Sequence, residues 1–308
     1  MVIRNAINAG ELSGPRLRAC GPEITVTGGL GDERRAHQYR ESFAMVADGP
    51  AEVLKLARLC VRENVDSIKL NISGDDHTRT GALPRTVMSE EEIRAGVMAA
   101  HDYHRLVNAH CRAAESVKRA VRCGVDVIYH CEHVDEEALD LLESVKDRVF
   151  AGPAIGLLHA AVHEAPEGTI HKGVQKGISL GLEAASRAYL EMKKRGIRVV
   201  IGGDYGFART PQGENARDIE HFVNHLGYAP NEALICATRY GAELMGLGDE
   251  AGQVKEGFLA DLLLVDGDPV ADVRILQRRE RLVAIVKGGE FHKLDRASLE
   301  RRRIRAAE

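Results

Sequence analysis

Four residues of this 308-residue chain stand at the ends of apolar, strand-like runs: Lys69, His110, His130 and Asp204. Lys69 follows Val65-Asp66-Ser67-Ile68 and His110 follows Leu106-Val107-Asn108-Ala109. His130 follows Val127-Ile128-Tyr129, and Asp204 follows Val199-Val200-Ile201-Gly202-Gly203. In a parallel barrel all strand carboxyl ends open on one face, so the four groups would converge. Two imidazoles and a carboxylate suit a divalent ion such as Zn²⁺. A lysine is a poor ligand until it reacts with CO₂; its carbamate then presents two oxygens and can bridge two cations. Each residue alone has a plainer reading. A strand-end His is often only hydrogen-bonded, a strand-end Lys snorkels to solvent, and an Asp after Gly-Gly shapes a turn. It is the ordered set of four that favours a site.

Lesser candidates surround that set. His133 lies three residues beyond His130, and His77 with the Asp75-Asp76 pair follows the Lys69 strand at the same expected mouth. Arg112 and Tyr205, each next to one of the principal residues or one removed, are candidates for substrate or supporting contacts. His101 and His104 fall on an expected helix, as surface residues. His159, His163 and His171 fall between Pro153 and Ile178, a segment read as a substrate-covering loop.

The elements that must position these groups alternate along the chain. Strand-like runs fall at 16–20, 67–72, 106–111, 127–130, 148–152 and 198–202. Amphipathic helices are expected at 51–63, 89–103, 114–122, 136–145 and 178–194, the second opening on Ser89-Glu90-Glu91-Glu92 with Ser as cap. Gly124 and Gly196 sit where a helix gives way to a strand. This βαβα order implies a parallel sheet with right-handed crossovers, either a (β/α)8 barrel or a doubly wound sheet. After Asp204 a helical region at 215–247 leads to strand-like runs at 257–265 and 282–287 and a Gly288-Gly289 turn, read as a small β appendage. The expected domains are thus a metal-binding barrel at 1–250, a small β part at 251–295 and a charged tail at 296–308.

Composition removes several functions. Lys plus Arg total 42 against 46 Asp plus Glu, a net charge of −4 that argues against a nucleic-acid partner or a polybasic membrane patch. The longest apolar runs are far too short to span a bilayer, and the N-terminus does not read as a signal peptide. Six Cys without a Cys-x-x-Cys pair suit free thiols in a reducing cytoplasm. Gly202-Gly203-Asp204-Tyr205-Gly206 lacks the Lys-Ser/Thr of a phosphate loop and the spacing of a dinucleotide fingerprint. The expected partner is a small-molecule substrate, and the chain is expected to associate with copies of itself.

The pairs Ile68-Lys69, Ala109-His110, Tyr129-His130 and Gly203-Asp204, in that order, resemble the amidohydrolase superfamily, closest to its imidazolonepropionase and Xaa-Pro-dipeptidase-like branch. Gly14-Pro15-Arg16-Leu17, Thr27-Gly28-Gly29 and Thr238-Arg239-Tyr240-Gly241-Ala242 match as well, as does the tail Gly252-Gln253-Val254-Lys255-Glu256-Gly257-Phe258-Leu259-Ala260-Asp261-Leu262-Leu263-Leu264-Val265. The resemblance covers nearly the whole chain and implies a metal-bearing (β/α)8 barrel with a small β-sandwich. It assigns Lys69 as a carboxylated, metal-bridging lysine, His110 and His130 as ligands of one metal, and Asp204 as ligand and proton shuttle. One or two divalent ions, zinc by preference, would then acidify a water that attacks the carbonyl of an amide, dipeptide, carbamate or urea.

The departures are informative. Such families carry a His-x-His pair on the first barrel strand, and none occurs here. The six expected strands correspond to the third to eighth of the family barrel, so the chain reads as N-terminally shortened, with Met1 in the helix after the second strand. Leu30 and Arg112 stand where relatives often carry His, which would reshape the substrate pocket. The alternatives are deamination, or carbamate, thiocarbamate or ester hydrolysis, on the same scaffold, or a catalytically impaired homologue.

Overall fold

Alternation along one strand sends Ile68 and Leu70 to one side and Lys69 and Asn71 to the other, and the N-terminal part of the molecule is organised around that division. A computed structural model describes residues 1–32, 34–75 and 85–297. His77 and the tail beyond residue 297 lie outside the described residues. The chain divides into two units, Met1–Val199 and Val200–Glu308.

The first unit runs α1 (Val2–Asn8), β1 (Cys20–Thr25), β2 (Met45–Val46), α2 (Pro50–Arg62), β3 (Ser67–Asn71), α3 (Glu90–His101), β4 (Leu106–Ala113), α4 (Ala114–Cys123), β5 (Val127–His133), α5 (Glu136–Ser144), β6 (Phe150–Gly152), α6 (Ile155–His163) and α7 (Lys172–Lys194). Its strands form one six-stranded sheet in the order β2-β1-β3-β4-β5-β6, every pair parallel. Helices cover one face. There Ile68, Leu70, Val107, Ala109 and Ile128 are fully buried, with Leu70 close against Gly96 of α3. Ser89 and Glu92 form a capping box at the start of α3, as the Ser-Glu-Glu-Glu signature requires. Gly124 closes α4 in the left-handed conformation and turns the chain into β5.

Register on the other face brings polar residues into rows. Glu23, Lys69 and Asn108 are aligned across β1, β3 and β4, and Asn71, His110 and Tyr129 across β3, β4 and β5. Asn71 donates to Glu23 Oε2 at 2.9 Å, and Asn108 donates to Ser67 Oγ at 3.0 Å.

Three sequence expectations shift. The first strand is Cys20–Thr25 rather than 16–20, because a register shift in its pairing with β3 accommodates Gly21-Pro22, which read as a break. The short β2 carried too little apolar pattern to be seen, and the run at 198–202 contributes a single bridge, Val199 to Ala151. The segment read as a covering loop is largely helical, supplying α6 and the first turns of a long α7.

The second unit holds α8 (Arg217–Leu226), α9 (Pro230–Ala237) and α10 (Arg239–Leu244), then an antiparallel sheet of β7 (Leu262–Val265), β8 (Leu282–Lys287) and β9 (Glu290–Leu294) in that order. The expected Gly288-Gly289 turn joins β8 to β9, both residues at positive φ. No helix among the described residues is long and apolar enough to cross a membrane, and the six cysteines are free thiols.

Candidate metal centre

Simple alternation cannot bring His110 and His130 together. His110 pairs with Tyr129 and Cys111 with His130, so a regular β5 would send His130 to the helix-covered face. The strand is not regular there. His130 and Cys131 adopt positive φ of 77° and 56°, and the register against β4 shifts between Cys111 and Ala113, where His133 finds its partner. A bulge of this kind re-aims side chains at a strand end. The imidazoles of His110 and His130 consequently meet, with ring centroids 4.2 Å apart. Both residues are buried, at 4% and 3% exposure. Lys69 reaches the same neighbourhood from β3, its Nζ 5.0 Å from the centre of the Tyr129 ring.

The electrostatics of this patch favour a neutral imidazole. Burial holds His110 well below the ordinary histidine range, and the cations of Arg112 and Lys69 push the same way. His110 Nε2 lies 3.1 Å from the Gly74 carbonyl oxygen, which fixes the ring and leaves Nδ1 for a ligand role. His130 Nδ1 lies 4.0 Å from Glu132 Oε1. The neighbouring thiols are kept protonated. Burial raises Cys111 to about 12 and Cys131 well above its ordinary value.

Arg112 is itself buried, at 1% exposure, and ion-paired to Glu132 and, through Nε at 3.2 Å, to Asp75. Its backbone N–H donates to Ser73 Oγ at 2.9 Å. The arginine expected near the substrate thus braces the segment 73–75 that follows β3 against the end of β5. Glu132 escaped sequence reading, because a Glu two residues after a His on a strand carries no signal of burial. His133 is half-buried at the end of β5. His159 and His163 sit one turn apart on α6, ring centroids 4.8 Å apart, and His171 caps α7.

Asp204 and Tyr205 belong to the second unit. Asp204 is exposed and strained, at φ 59°, and its carbonyl oxygen accepts from Thr210 Oγ1 at 3.1 Å. Tyr205 donates its phenolic O–H to Asp218 Oδ1 at 3.1 Å, while burial raises its pKa. Asp218 is fully buried, and desolvation lifts its carboxyl to about 7.

A model of the amidohydrolase family matches residues 3–291 of this chain. The chain belongs to the amidohydrolase family. It is 25% identical over 317 residues to the ochratoxinase of Aspergillus niger, an alignment covering 94% of this chain and 63% of that protein. Over 140 residues it is 34% identical to a 5-methylthioadenosine/S-adenosylhomocysteine deaminase of Dictyoglomus thermophilum, covering 44% of this chain and 28% of the relative. Among solved structures, a Xaa-Pro dipeptidase with methionine bound in its active site superposes with a TM-score of 0.83 at 28% identity, over 95% of this chain and 71% of the other. The chain therefore spans about 63% of the length of the ochratoxinase it matches. The six parallel strands with their helices, and the small antiparallel sheet, have the α/β barrel class of these amidohydrolases.

Proposed function

We propose that this amidohydrolase hydrolyses a C–N bond in an amide, dipeptide, carbamate or urea with the help of a divalent metal, zinc by preference for a mixed imidazole and oxygen donor set. The observation that carries the reading is the meeting of His110 and His130, 4.2 Å apart, through a bulge that breaks strand alternation. The residues fit an ion. Both imidazoles are buried, and their ring centroids lie 4.2 Å apart. His110, His130 and Lys69 as its carbamate would hold one or two ions, joined by Asp204 on the strength of its Gly-Gly-Asp motif. A divalent ion so bound supplies Lewis-acid polarisation of the substrate carbonyl and acidifies a water. The Gly74 carbonyl fixes the His110 ring, and Arg112 with Glu132 fixes the strand end that carries His130. Lys69 takes no proton. Asp204 accepts the proton of the attacking water on a carboxylate oxygen and returns it to the leaving nitrogen, general base and then general acid.

The test is turnover of a panel of N-acyl amino acids, dipeptides including Met-Pro, aryl ureas and carbamates, each followed by amine release. The zinc-loaded parent should cut at least one class, and Asp204→Asn should lower kcat by about 10² or more. A parent inert to every class, or an Asn variant with the parent's kcat, would overturn the reading. Deamination on the same scaffold is the second reading, supported by the local match to the deaminase; it would release ammonia with no second organic product. The free thiols support a cytoplasmic location. Exposed Leu262, Leu263, Leu264 and Phe291 on the three-stranded sheet support self-association.

A further inference from the structure

Asp204 is the one residue of the proposed chemistry that stands exposed on a left-handed backbone, a conformation that aspartate tolerates better than most residues but that costs energy and is held by its surroundings. Its two neighbours in the chain supply that constraint. Gly203 is buried so closely against Asp218 that a Cβ at this position would overlap both carboxyl oxygens of Asp218 and the ring of Tyr205. On the other side, Tyr205 donates its O–H to Asp218 Oδ1 at 3.1 Å. Residues 203 and 205 are thus both seated on one carboxyl group, and residue 204 is what lies between them. Asp218 is fully buried near the start of α8, and its Oδ2 has no hydrogen-bond partner among the described residues.

Burying a carboxyl group with one oxygen unpaired is costly, and apolar side chains of similar volume would fill the space more cheaply. The arrangement is explained if the group has work to do at the turn. Two features suit Asp218 to that work. Its planar head is small enough to admit the backbone of Gly203, and its oxygen anchors Tyr205. Thr210 completes the frame from the far side of the turn. It donates Oγ1–H to the Asp204 carbonyl at 3.1 Å and accepts the Gly206 N–H on its backbone oxygen at 2.7 Å.

We propose that Asp218 is a positioning residue for the reaction: it clamps Gly203 and Tyr205 and thereby holds the Asp204 carboxylate at the angle the proton transfer needs. This rests on the reading of Asp204 as the proton carrier. Asp218 itself touches no reacting atom. Its role is carried through the backbone of 203–205, so an isosteric amide, which keeps the volume and the acceptor oxygen, should serve almost as well.

The experiment compares parent, Asp218→Ala, Asp218→Asn, Gly203→Ala and Asp204→Asn as full-length, zinc-loaded chains. Folding is verified by circular dichroism and melting. Two readouts are taken: amide hydrogen exchange of the peptide covering residues 200–212, and kcat and KM on Met-Pro or on the panel member the parent cuts. Asp218→Ala and Gly203→Ala should speed exchange at 203–206 and lower kcat by at least tenfold with KM within about twofold, the signature of lost transition-state alignment rather than lost binding. Asp218→Asn should restore both slow exchange and kcat. Unchanged exchange in a folded Asp218→Ala variant overturns the clamp, whatever the activity. Faster exchange with the parent's kcat, alongside a crippled Asp204→Asn, overturns its importance for the reaction. Failure of the underlying reading looks different: a fully active Asp204→Asn, or an inert parent, discards the role of Asp204, and the exchange measurement alone then decides whether Asp218 holds the turn.

Discussion

Lys69 is the residue whose chemistry must change for the proposed site to work. As an ammonium it would face a bound cation with like charge, beside the already cationic Arg112; as a carbamate it inverts its charge and offers oxygen donors. Its place on the polar face of β3 sets Nζ 5.0 Å from the centre of the Tyr129 ring. Lys69→Ala should therefore abolish turnover and lower zinc content, and short carboxylic acids such as acetate or propionate should partly restore activity by supplying the missing oxygens. Full activity of the alanine variant without added acid would remove the lysine from the site. Lys69, His110, His130 and Asp204 stand out in the sequence as candidates because each follows an apolar run, although the strands that carry Lys69, His110 and His130 continue beyond them. Glu132 and Asp218 do not stand out, since an isolated acid in a strand or at a helix start ordinarily marks a solvated position or a cap.

At the scale of elements, the end of β5 decides the geometry. Period-two reasoning finds the strand and its last residues but sends His130 to the wrong face; only the left-handed pair at 130–131 returns it to His110, and no residue type there announces positive φ. The bulge is braced by the buried Arg112–Glu132 pair, which ties the last residues of β4 to those of β5. Removing one partner of such a pair strands the other charge, at a cost of about 3–5 kcal/mol. Arg112→Met should lower the stability of the chain by that order in denaturant unfolding, and adding Glu132→Gln should recover most of it. Strictly additive losses in the double variant would show that the two side chains do not act as a pair. Asp218, the second residue of α8, makes stability depend on pH. The Asp218 carboxyl is raised from 3.8 to about 7 in the folded chain, chiefly by burial. A group raised in this way contributes stability that is complete below the ordinary carboxylate pKa and is lost as pH climbs through about 7. Asp218→Asn, neutral at every pH, should therefore gain on the parent in melting temperature between pH 5 and pH 8, both proteins being free of metal. A difference that stays constant over that range would contradict the raised pKa.

For the whole molecule, the alternation of strands and helices announced a parallel α/β architecture, and most helices stand within a few residues of where amphipathicity placed them. What escaped was short or interrupted. β2 has two residues, β1 contains Gly21-Pro22, and α6 is so apolar that it shows little amphipathic period. The choice between a barrel and a doubly wound sheet could not be made from periodicity, since both alternate strand and helix; it came from the motif order and is supported by family membership over residues 3–291. If a divalent metal held by Lys69, His110 and His130 drives C–N hydrolysis, activity must follow bound zinc. The protein is stripped with a chelator, dialysed and reloaded in steps, with metal content and amine release measured on the same samples. The stripped chain should be inactive and turnover should rise in proportion to zinc retained, and neither zinc nor activity should return to a His110→Ala/His130→Ala variant that still folds. Undiminished turnover in the metal-free parent would contradict a metal-driven reaction.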